Sequence, residues 1–455
     1  MRRYLGWLAL LAVVFAFRLT HRRILWVEEA YPAAAAIQME QGRALYRDFQ
    51  FDKPPLSAVV YRLWSGRDGW PLRLAGAVHV TLCCLVAFLV ARRWWTPREG
   101  WLAALLLAFY LTFGIPASVM ALAPDMLTLL PVLGAALAIA HGRPGWAGVA
   151  LGLAVGCNGK ALVLLPMLGL AALPGFALGA VLPLLPFDLA AMWDQVWRWG
   201  AAYSRDTPVA SPLHEGIVRT AAWCGFQFTA VAGAVWFFAR ERLAPQLRFL
   251  ALWTALSVVM VALGLRFSPR YYLVLLPPLV LAAARGLTLM PPRLRTGALA
   301  LLLIPAARFG PRYALLAQDP GQAWADTEMN RDAARAARIV NEQAKPGDTI
   351  LVWGYRPDIL VYTRLPLGAP FLDSQPLTGV IADRHLRESK TTFPALAERN
   401  RARLQACRPD WIVDGLGPYN PQLAVSNYPD IGSWLVQHYD KAGETEGSRI
   451  YRRRP

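Results

Sequence analysis

Apolar runs separated by short basic turns are the feature that most limits what this chain can fold into. Such runs recur from Tyr4 to about residue 307, and several of the turns carry clustered arginines, as at Arg92-Arg93. Because 56% of the 455 residues are hydrophobic and 17% are charged, the chain has too few polar side chains to surround one water-soluble globule. The sequence therefore predicts a polytopic α-helical membrane protein.

The apolar runs predict about eleven transmembrane helices, several of them shorter than the ~20 residues that a perpendicular span needs. We expect the first span to be uncleaved, because the basic segment Arg18 to Arg23 follows it where a signal peptide would have small residues. The predicted spans lie near residues 4–17, 71–91, 100–118, 126–140, 145–157, 161–173, 175–191, 220–238, 247–264, 271–289 and 296–307.

Arginines in alternate turns give the predicted orientation. If the count is right, one side carries Arg2, Arg3, Arg92, Arg93, Arg98, Arg143, Arg240, Arg242, Arg248, Arg293 and Arg295. The positive-inside rule makes that side cytoplasmic. A polar insert at 21–70 and everything after about residue 317 then lie outside the cytoplasmic (inner) membrane, in the periplasm where a cell has one.

The last part of the chain, residues 317–455, has the composition of a small α/β domain outside the membrane. Residues 326–343 and 393–407 are typical of helices, and residues 349–353, 411–413 and 449–451 are typical of strands. This segment has no glycine-rich phosphate loop, nucleophile elbow or metal cluster. We therefore predict two domains, 1–316 and 317–455, with the second serving as an accessory lid or docking surface.

A net charge of +17 does not indicate nucleic acid in this chain. The basic residues stand in twos and threes between apolar runs, rather than in one long basic stretch. Anionic lipid headgroups or phosphate-bearing substrates explain that distribution better. We expect membrane lipids, and no nucleic acid, among the partners.

The insert at 21–70 is where chemistry is first expected. It places Glu28 and Glu29 just beyond the first span and the Asp52-Lys53 pair before Pro54-Pro55. Charged groups at the membrane boundary can act on lipid-borne substrates, although an ordinary solvated loop would look similar.

The predicted topology brings four further charged residues to the same side as the insert: Asp125, Lys160, Arg266 and Arg270. Each has an ordinary explanation, namely a favourable acidic helix start for Asp125, snorkelling for Lys160 and interfacial anchoring for the arginines. Together with the two glutamates, they form the pattern of a carboxylate base facing a phosphate clamp.

Several of these segments resemble the GT-C glycosyltransferases, in the branch that includes protein O-mannosyltransferases and lipid A aminoarabinose transferase. The resemblance covers roughly residues 1–310 and rests on Glu28-Glu29, the run from Gly42 to Leu56 that ends Asp-Lys-Pro-Pro-Leu, the Asp that opens the fourth span, and Pro269-Arg-Tyr-Tyr272. The family usually has Asp-Glu in place of Glu28-Glu29, and often has His in place of Arg270.

The resemblance implies inverting transfer of a sugar from a polyprenyl-phosphate donor to a lipid, glycan or protein acceptor on the outer face. Glu28 is then the expected base, Glu29 orients a neighbour, and Asp125 assists the acceptor or helps to hold a divalent cation. The expected substrate-binding residues are Asp52, Lys53, Lys160, Arg266, Arg270 and Tyr271. The family uses a metal in some branches only, and the sequence has no compact ligand set that decides between them.

Two other classes stay open from the sequence. A secondary transporter would show repeated halves and charges near the midplane, whereas the charges here gather at one surface. A non-catalytic protein that binds polyprenyl lipids for assembly would have no need of Glu28 opposite Lys53. A structure that brings Glu28, Asp125 and Lys53 around one outward cavity would favour the transferase.

Overall fold

The computed structural model describes residues 2–205, 209–241 and 245–455. Arg242 and the side chains of Arg2 and Arg3, which entered the orientation argument, lie outside the described part. The first 318 residues form the helices α1 (Arg2–Leu19), α2 (Val27–Glu40), α3 (Leu56–Val59), α4 (Trp70–Trp94), α5 (Pro97–Tyr110), α6 (Pro116–Val119), α7 (Pro124–Ala140), α8 (Pro144–Cys157), α9 (Leu173–Val181), α10 (Leu189–Met192), α11 (Trp199–Arg205), α12 (Pro212–Phe226), α13 (Phe228–Arg240), α14 (Pro245–Ala262), α15 (Leu276–Leu289), α16 (Pro292–Ala300) and α17 (Leu303–Gln318). Short 3₁₀ segments join several of them, including Gly159–Met167 and Pro269–Leu275, and a π-helical segment covers Trp193–Arg198.

Four apolar helical stretches among the described residues are long enough to cross a membrane: Trp70–Trp94, Pro245–Ala262, Pro269–Leu289 and Pro292–Gln318. Two pairs, bent by 106° and 93°, raise the number to six if each pair is one span. Shorter apolar helices lie at Leu5–Leu19, Pro124–Ala140 and Pro144–Cys157. The long helices are fewer than the eleven predicted spans because bends and 3₁₀ segments divide several apolar runs.

Helices α8 and α9 pack side by side in the same direction. Gly145 of α8 lies opposite Gly175 of α9, and Val149 lies opposite Gly179, so closely that a Cβ on either α9 glycine would overlap the facing carbonyl oxygen. Small residues allow such close approach between membrane helices. Because the two helices are parallel, residues 158–172 between them must return along the bundle. The predicted span at 161–173 also runs opposite to its neighbours at 145–157 and 175–191.

We call the part of the chain after α17 the C-terminal domain. It contains helices α18 (Glu328–Gln343), α19 (Pro357–Thr363), α20 (Gln375–Thr378), α21 (Pro394–Cys407) and α22 (Pro429–His438), and strands β1 (Ile350–Trp353), β2 (Trp411–Asp414), β3 (Tyr439–Glu444) and β4 (Arg449–Arg453). The sheet order is β1-β2-β4-β3, with β1 and β2 parallel and the other pairs antiparallel. Strands β1 and β2 are buried along their whole length. Strand β3, which the sequence did not predict, has mostly exposed or half-buried residues and so lacks an apolar signal.

The polar insert is packed beneath this domain rather than extended into solvent. Helix α2 lies against α19, and the buried Gln38 side chain donates to the Leu365 carbonyl (3.1 Å) and accepts from the Leu367 amide (2.9 Å). The Gln50 amide donates to the Pro370 carbonyl at 3.0 Å. One cluster of buried apolar residues continues from the helix bundle through α2 into α18 and β1. We call this end of the bundle, covered by the insert and the C-terminal domain, the domain-facing end.

Candidate active site

The two adjacent glutamates lie in the first turn of α2 but point to different surroundings. Successive residues of a helix are about 100° apart around its axis, so neighbouring side chains leave on different sides. The Glu29 side chain is fully buried, whereas that of Glu28 is 21% exposed. The positive end of the helix dipole favours both carboxylates, so the difference lies in their contacts.

Glu29 joins three segments of the bundle. Its carboxylate forms a buried ion pair with Arg73 of α4 and accepts hydrogen bonds from the amides of Trp26 and Leu122, both at 3.1 Å. Arg73 also donates to the carbonyls of Ile24 (2.7 Å) and Met120 (3.1 Å). These contacts fit a role in holding α2 against the bundle better than contact with a substrate.

Glu28 faces a second arginine, which it shares with another carboxylate. Arg270 forms an ion pair with Glu28, and its Nε lies 3.8 Å from Oδ2 of Asp125 at the start of α7. The side chains of all three are partly exposed, at 28% for Arg270 and 13% for Asp125. Two carboxylates from separate helices therefore meet at one cation.

Asn158 and Tyr271 extend this group. The Asn158 side chain donates to Asp125 Oδ1 at 3.0 Å and accepts from the Lys160 amide at 3.1 Å. The Lys160 ammonium lies over the Tyr271 ring, 3.4 Å from its centre, a cation–π contact. We call Glu28, Asp125, Asn158, Lys160, Arg270 and Tyr271 the Arg270 cluster.

Asp52 and Lys53 form an ion pair of their own in the insert. Lys53 Nζ lies 3.1 Å from Asp52 Oδ2, and the other carboxylate oxygen of Asp52 is buried with no hydrogen-bond partner among the described residues. The backbone around the pair is fixed, because the Tyr46 hydroxyl donates to the Lys53 carbonyl at 2.7 Å. Lys53 is 38% exposed in its side chain and so is accessible to a ligand.

Tyr355 of the C-terminal domain packs against Tyr31 of α2. Its ring lies 5.6 Å from that of Tyr31, and its hydroxyl interacts electrostatically with both Glu28 and Asp52. Burial, reinforced by these carboxylates, raises the pKa of Tyr355 well above its usual value. The structure brings Glu28 and Asp125 together at Arg270, whereas Lys53 pairs with Asp52.

Asp373 of the C-terminal domain is near enough to Asp52 for the two carboxylates to repel each other. Burial, with the nearby Asp52 carboxylate adding to it, raises the pKa of Asp373 to about 7, although the Gln375 amide donates to it at 2.8 Å. Asp373 can thus exchange a proton near neutral pH, which ordinary surface carboxylates do not do.

Arg266 makes its contacts with Tyr203 and the C-terminal domain. It forms an ion pair with Asp383 of the C-terminal domain, donates to the Tyr203 carbonyl at 2.8 Å and lies over the Tyr203 ring. These contacts connect α11, the segment before residue 269, and the C-terminal domain. Arg266 is therefore positioned to hold that domain in place.

The whole structure is similar to solved structures of ArnT from Cupriavidus metallidurans. The form bound to undecaprenyl phosphate aligns with a TM-score of 0.61 and 15% identity, over 98% of this chain and 98% of that chain. The apo form aligns with a TM-score of 0.62 and 16% identity, over 99% and 98%. The chain has the GT-C glycosyltransferase fold. The resemblance seen in the sequence is confirmed at the level of the fold.

A more distant GT-C structure shares this fold. It is the archaeal oligosaccharyltransferase AglB from Archaeoglobus fulgidus in complex with an inhibitory peptide and a dolichol-phosphate, with a TM-score of 0.51 and 13% identity over 99% of this chain and 74% of that chain. No protein-family model matches the sequence, and no curated protein matches it either.

The cluster in this GT-C fold does not suit a metal ion. The Arg270 guanidinium stands between Glu28 and Asp125, where a bridging cation would have to bind. Within the described residues, no three His, Cys, Asp or Glu side chains are grouped to hold a metal. The residues of the Arg270 cluster therefore do not fit a divalent cation.

Sequence reasoning missed three residues of the site region: Asn158, Tyr355 and Asp373. Asn158 stands in the turn before Lys160, where a polar residue between two apolar runs was a usable signal. Tyr355 and Asp373 lie in a segment of ordinary composition and reach the site only through the docking of the C-terminal domain. Nothing in the local sequence distinguishes them.

Proposed function

We propose that this chain is a membrane glycosyltransferase that moves a sugar from a polyprenyl-phosphate donor to an acceptor hydroxyl at the domain-facing end. The observation that carries the proposal is that Arg270 is shared by Glu28 and Asp125, beside the Lys160 and Tyr271 pair. Cations for a phosphate and a carboxylate for a proton are the two elements that such a transfer needs. The GT-C fold supports this reading.

The donor phosphate would bind between Lys53 and Arg270. Arg270 forms strong paired hydrogen bonds with phosphate oxygens, and Lys53 adds a compact positive charge. In this mechanism the phosphate competes with Glu28 for Arg270. Donor binding therefore releases the Glu28 carboxylate at the moment when the reaction needs it.

The transfer itself is a single displacement. The acceptor oxygen bonds to the anomeric carbon while the bond from that carbon to the phosphate oxygen breaks. Glu28 takes the acceptor proton, and the departing electron pair goes to the phosphate, whose charge Arg270 and Lys53 stabilise. Attack opposite the leaving group inverts the anomeric centre. Asp125, held by Asn158, orients the acceptor in this scheme.

The topology belongs to the same proposal. About eleven spans, with the N-terminus in the cytoplasm, put the insert and the C-terminal domain on the outer face of the inner membrane. The parallel packing of α8 and α9 supports three crossings between residues 144 and 184.

The decisive experiment incubates the purified protein with a panel of polyprenyl-phosphate sugars and membrane extracts, followed by mass spectrometry of the products. We expect one donor to lose its sugar to an acceptor and to leave polyprenyl phosphate. The Glu28→Gln variant serves as the control for activity from contaminants. Absence of transfer from every donor, together with protein-dependent flux of a solute into proteoliposomes, would replace the proposal with a transporter.

A further inference from the structure

Gln195 binds the backbone of the insert through both ends of its side-chain amide. Its Oε1 accepts from the Phe51 amide at 2.9 Å, and its Nε2 donates to the Tyr46 carbonyl at 2.8 Å. One side chain therefore closes the loop of the insert between Tyr46 and Phe51. Gln195 belongs to the π-helical segment Trp193–Arg198, and π-helical turns are rare in proteins but frequent at functional sites.

Tyr46 has a backbone conformation that needs such support. Its φ is +69°, in the left-handed region that bulky residues rarely adopt. Residues persist in this region where the surrounding structure holds them, and they are concentrated at active sites and ligand clamps. The hydrogen bond from Gln195 to the Tyr46 carbonyl provides part of that hold.

The contacts lead from Gln195 to Lys53. The Tyr46 hydroxyl donates to the Lys53 carbonyl at 2.7 Å, and Phe51 precedes Lys53 by two residues. We propose that Gln195 is a positioning residue, which fixes this loop so that the Lys53 ammonium meets the donor phosphate. The inference rests on the proposed function, in which Lys53 binds that phosphate, and it gives the π-helical segment a part in donor binding.

The physical reason is that a lysine side chain is flexible, so its reach depends on where its backbone is held. Without the Gln195 amide, the Phe51 amide and the Tyr46 carbonyl lose their partners, and Tyr46 can relax out of its left-handed conformation. The Lys53 carbonyl, bonded to the Tyr46 hydroxyl, then moves with it. A displacement of about 1 Å at a positioning group can cost about 10²-fold in rate.

A double-mutant cycle with Lys53 tests the inference, because a positioning residue acts only through the group that it positions. Gln195→Met keeps the length of the side chain and removes both hydrogen bonds. Titration with undecaprenyl phosphate should show affinity reduced about 5–20-fold, part of the about 10–150-fold expected for loss of one charge-assisted phosphate contact. In a Lys53→Ala background the same substitution should change affinity by less than about twofold. A merely structural role of Gln195 would reduce affinity equally in both backgrounds.

Gln38→Met is the matched control. Gln38 also joins two segments through both ends of its amide, donating to the Leu365 carbonyl at 3.1 Å and accepting from the Leu367 amide at 2.9 Å. Its contacts join α2 to the C-terminal domain and do not include the loop before Lys53. Gln38→Met should lower the unfolding temperature but leave the affinity for undecaprenyl phosphate unchanged in both backgrounds.

Tyr46→Phe removes only the hydroxyl that donates to the Lys53 carbonyl, and it replaces Gln195→Met in the cycle if that variant does not fold. Its effect on affinity should also disappear in the Lys53→Ala background. Wild-type affinity in Gln195→Met, or a loss that persists in full without Lys53, would overturn the inference while the proposed function stands. If Lys53→Ala itself binds undecaprenyl phosphate as tightly as wild type, the proposed role of Lys53 fails and the inference falls with it.

Discussion

The same substitution at two adjacent glutamates should produce two different defects. Glu28→Gln keeps the size of the side chain but removes its ability to accept a proton. We expect turnover to fall about 10²–10⁴-fold, the usual contribution of a general base. Stability should change little, because the Glu28 side chain is partly exposed and Arg270 still has Asp125 at 3.8 Å as a counter-charge.

Glu29→Gln should instead damage the fold. Glu29 and Arg73 form an ion pair whose side chains are 0% and 1% exposed. A glutamine at position 29 therefore leaves a buried arginine without its counter-charge. Breaking such a pair by removing one partner costs about 3–5 kcal/mol. Glu29 now accepts hydrogen bonds from Trp26, Leu122 and Arg73 with two charged oxygens. The glutamine side chain has one uncharged oxygen in their place.

The assay measures three quantities on each purified variant. Thermal unfolding followed by tryptophan fluorescence reports stability, binding of undecaprenyl phosphate reports an intact site, and the initial transfer rate per folded molecule reports chemistry. We expect Glu28→Gln to be stable, able to bind lipid and nearly inactive, whereas Glu29→Gln has a lower unfolding temperature. The reasoning is refuted if Glu28→Gln transfers sugar at the wild-type rate, or if Glu29→Gln is as stable as wild type. A slow Asp125→Asn beside a fast Glu28→Gln would give the role of base to Asp125.

Three further outcomes are expected. Lys53→Ala should weaken donor binding by about 1.5–3 kcal/mol, and Lys53→Arg should recover part of it, as measured by lipid titration; unchanged affinity removes Lys53 from the site. The folded-state pKa of Asp373 is raised to about 7, so its ionisation destabilises the protein as pH rises from about 4 toward 7 and the cost is fully present above that range. Asp373→Asn should therefore gain thermal stability relative to wild type at pH 8 and little at pH 5, and an equal difference at both would contradict this. For the topology, the exposed Cys407 is first replaced by Ser, and single cysteines are then introduced at Gln422 or Arg143. The two cysteines should react with a membrane-impermeant reagent from opposite sides of the membrane. Labelling of both from the same side rejects the topology.

Local sequence alone determined the class of the protein and predicted where its chemistry lies. Long apolar runs predict membrane helices, because backbone groups without hydrogen-bond partners cannot cross lipid. The apolar pattern is interrupted at residues 21–70, which predicts that this segment lies outside the membrane. The strands at Ile350 and Trp411 were also predictable, since short buried runs bounded by turn residues carry their own signal. The motif around Asp52 then indicated the GT-C fold before any coordinates did.

Only the tertiary structure separated the roles of residues that look alike in the sequence. Glu28 and Glu29 are neighbours of the same type, but Glu29 meets Arg73 in the interior and Glu28 meets Arg270, 242 positions away. Arg266 likewise pairs with Asp383, which local patterns could not indicate. The physical reason is that a side chain's charge state, burial and partners depend on segments brought together by packing. Helix periodicity sets the direction in which each side chain leaves, but the packing of segments distant in the sequence decides what it contacts.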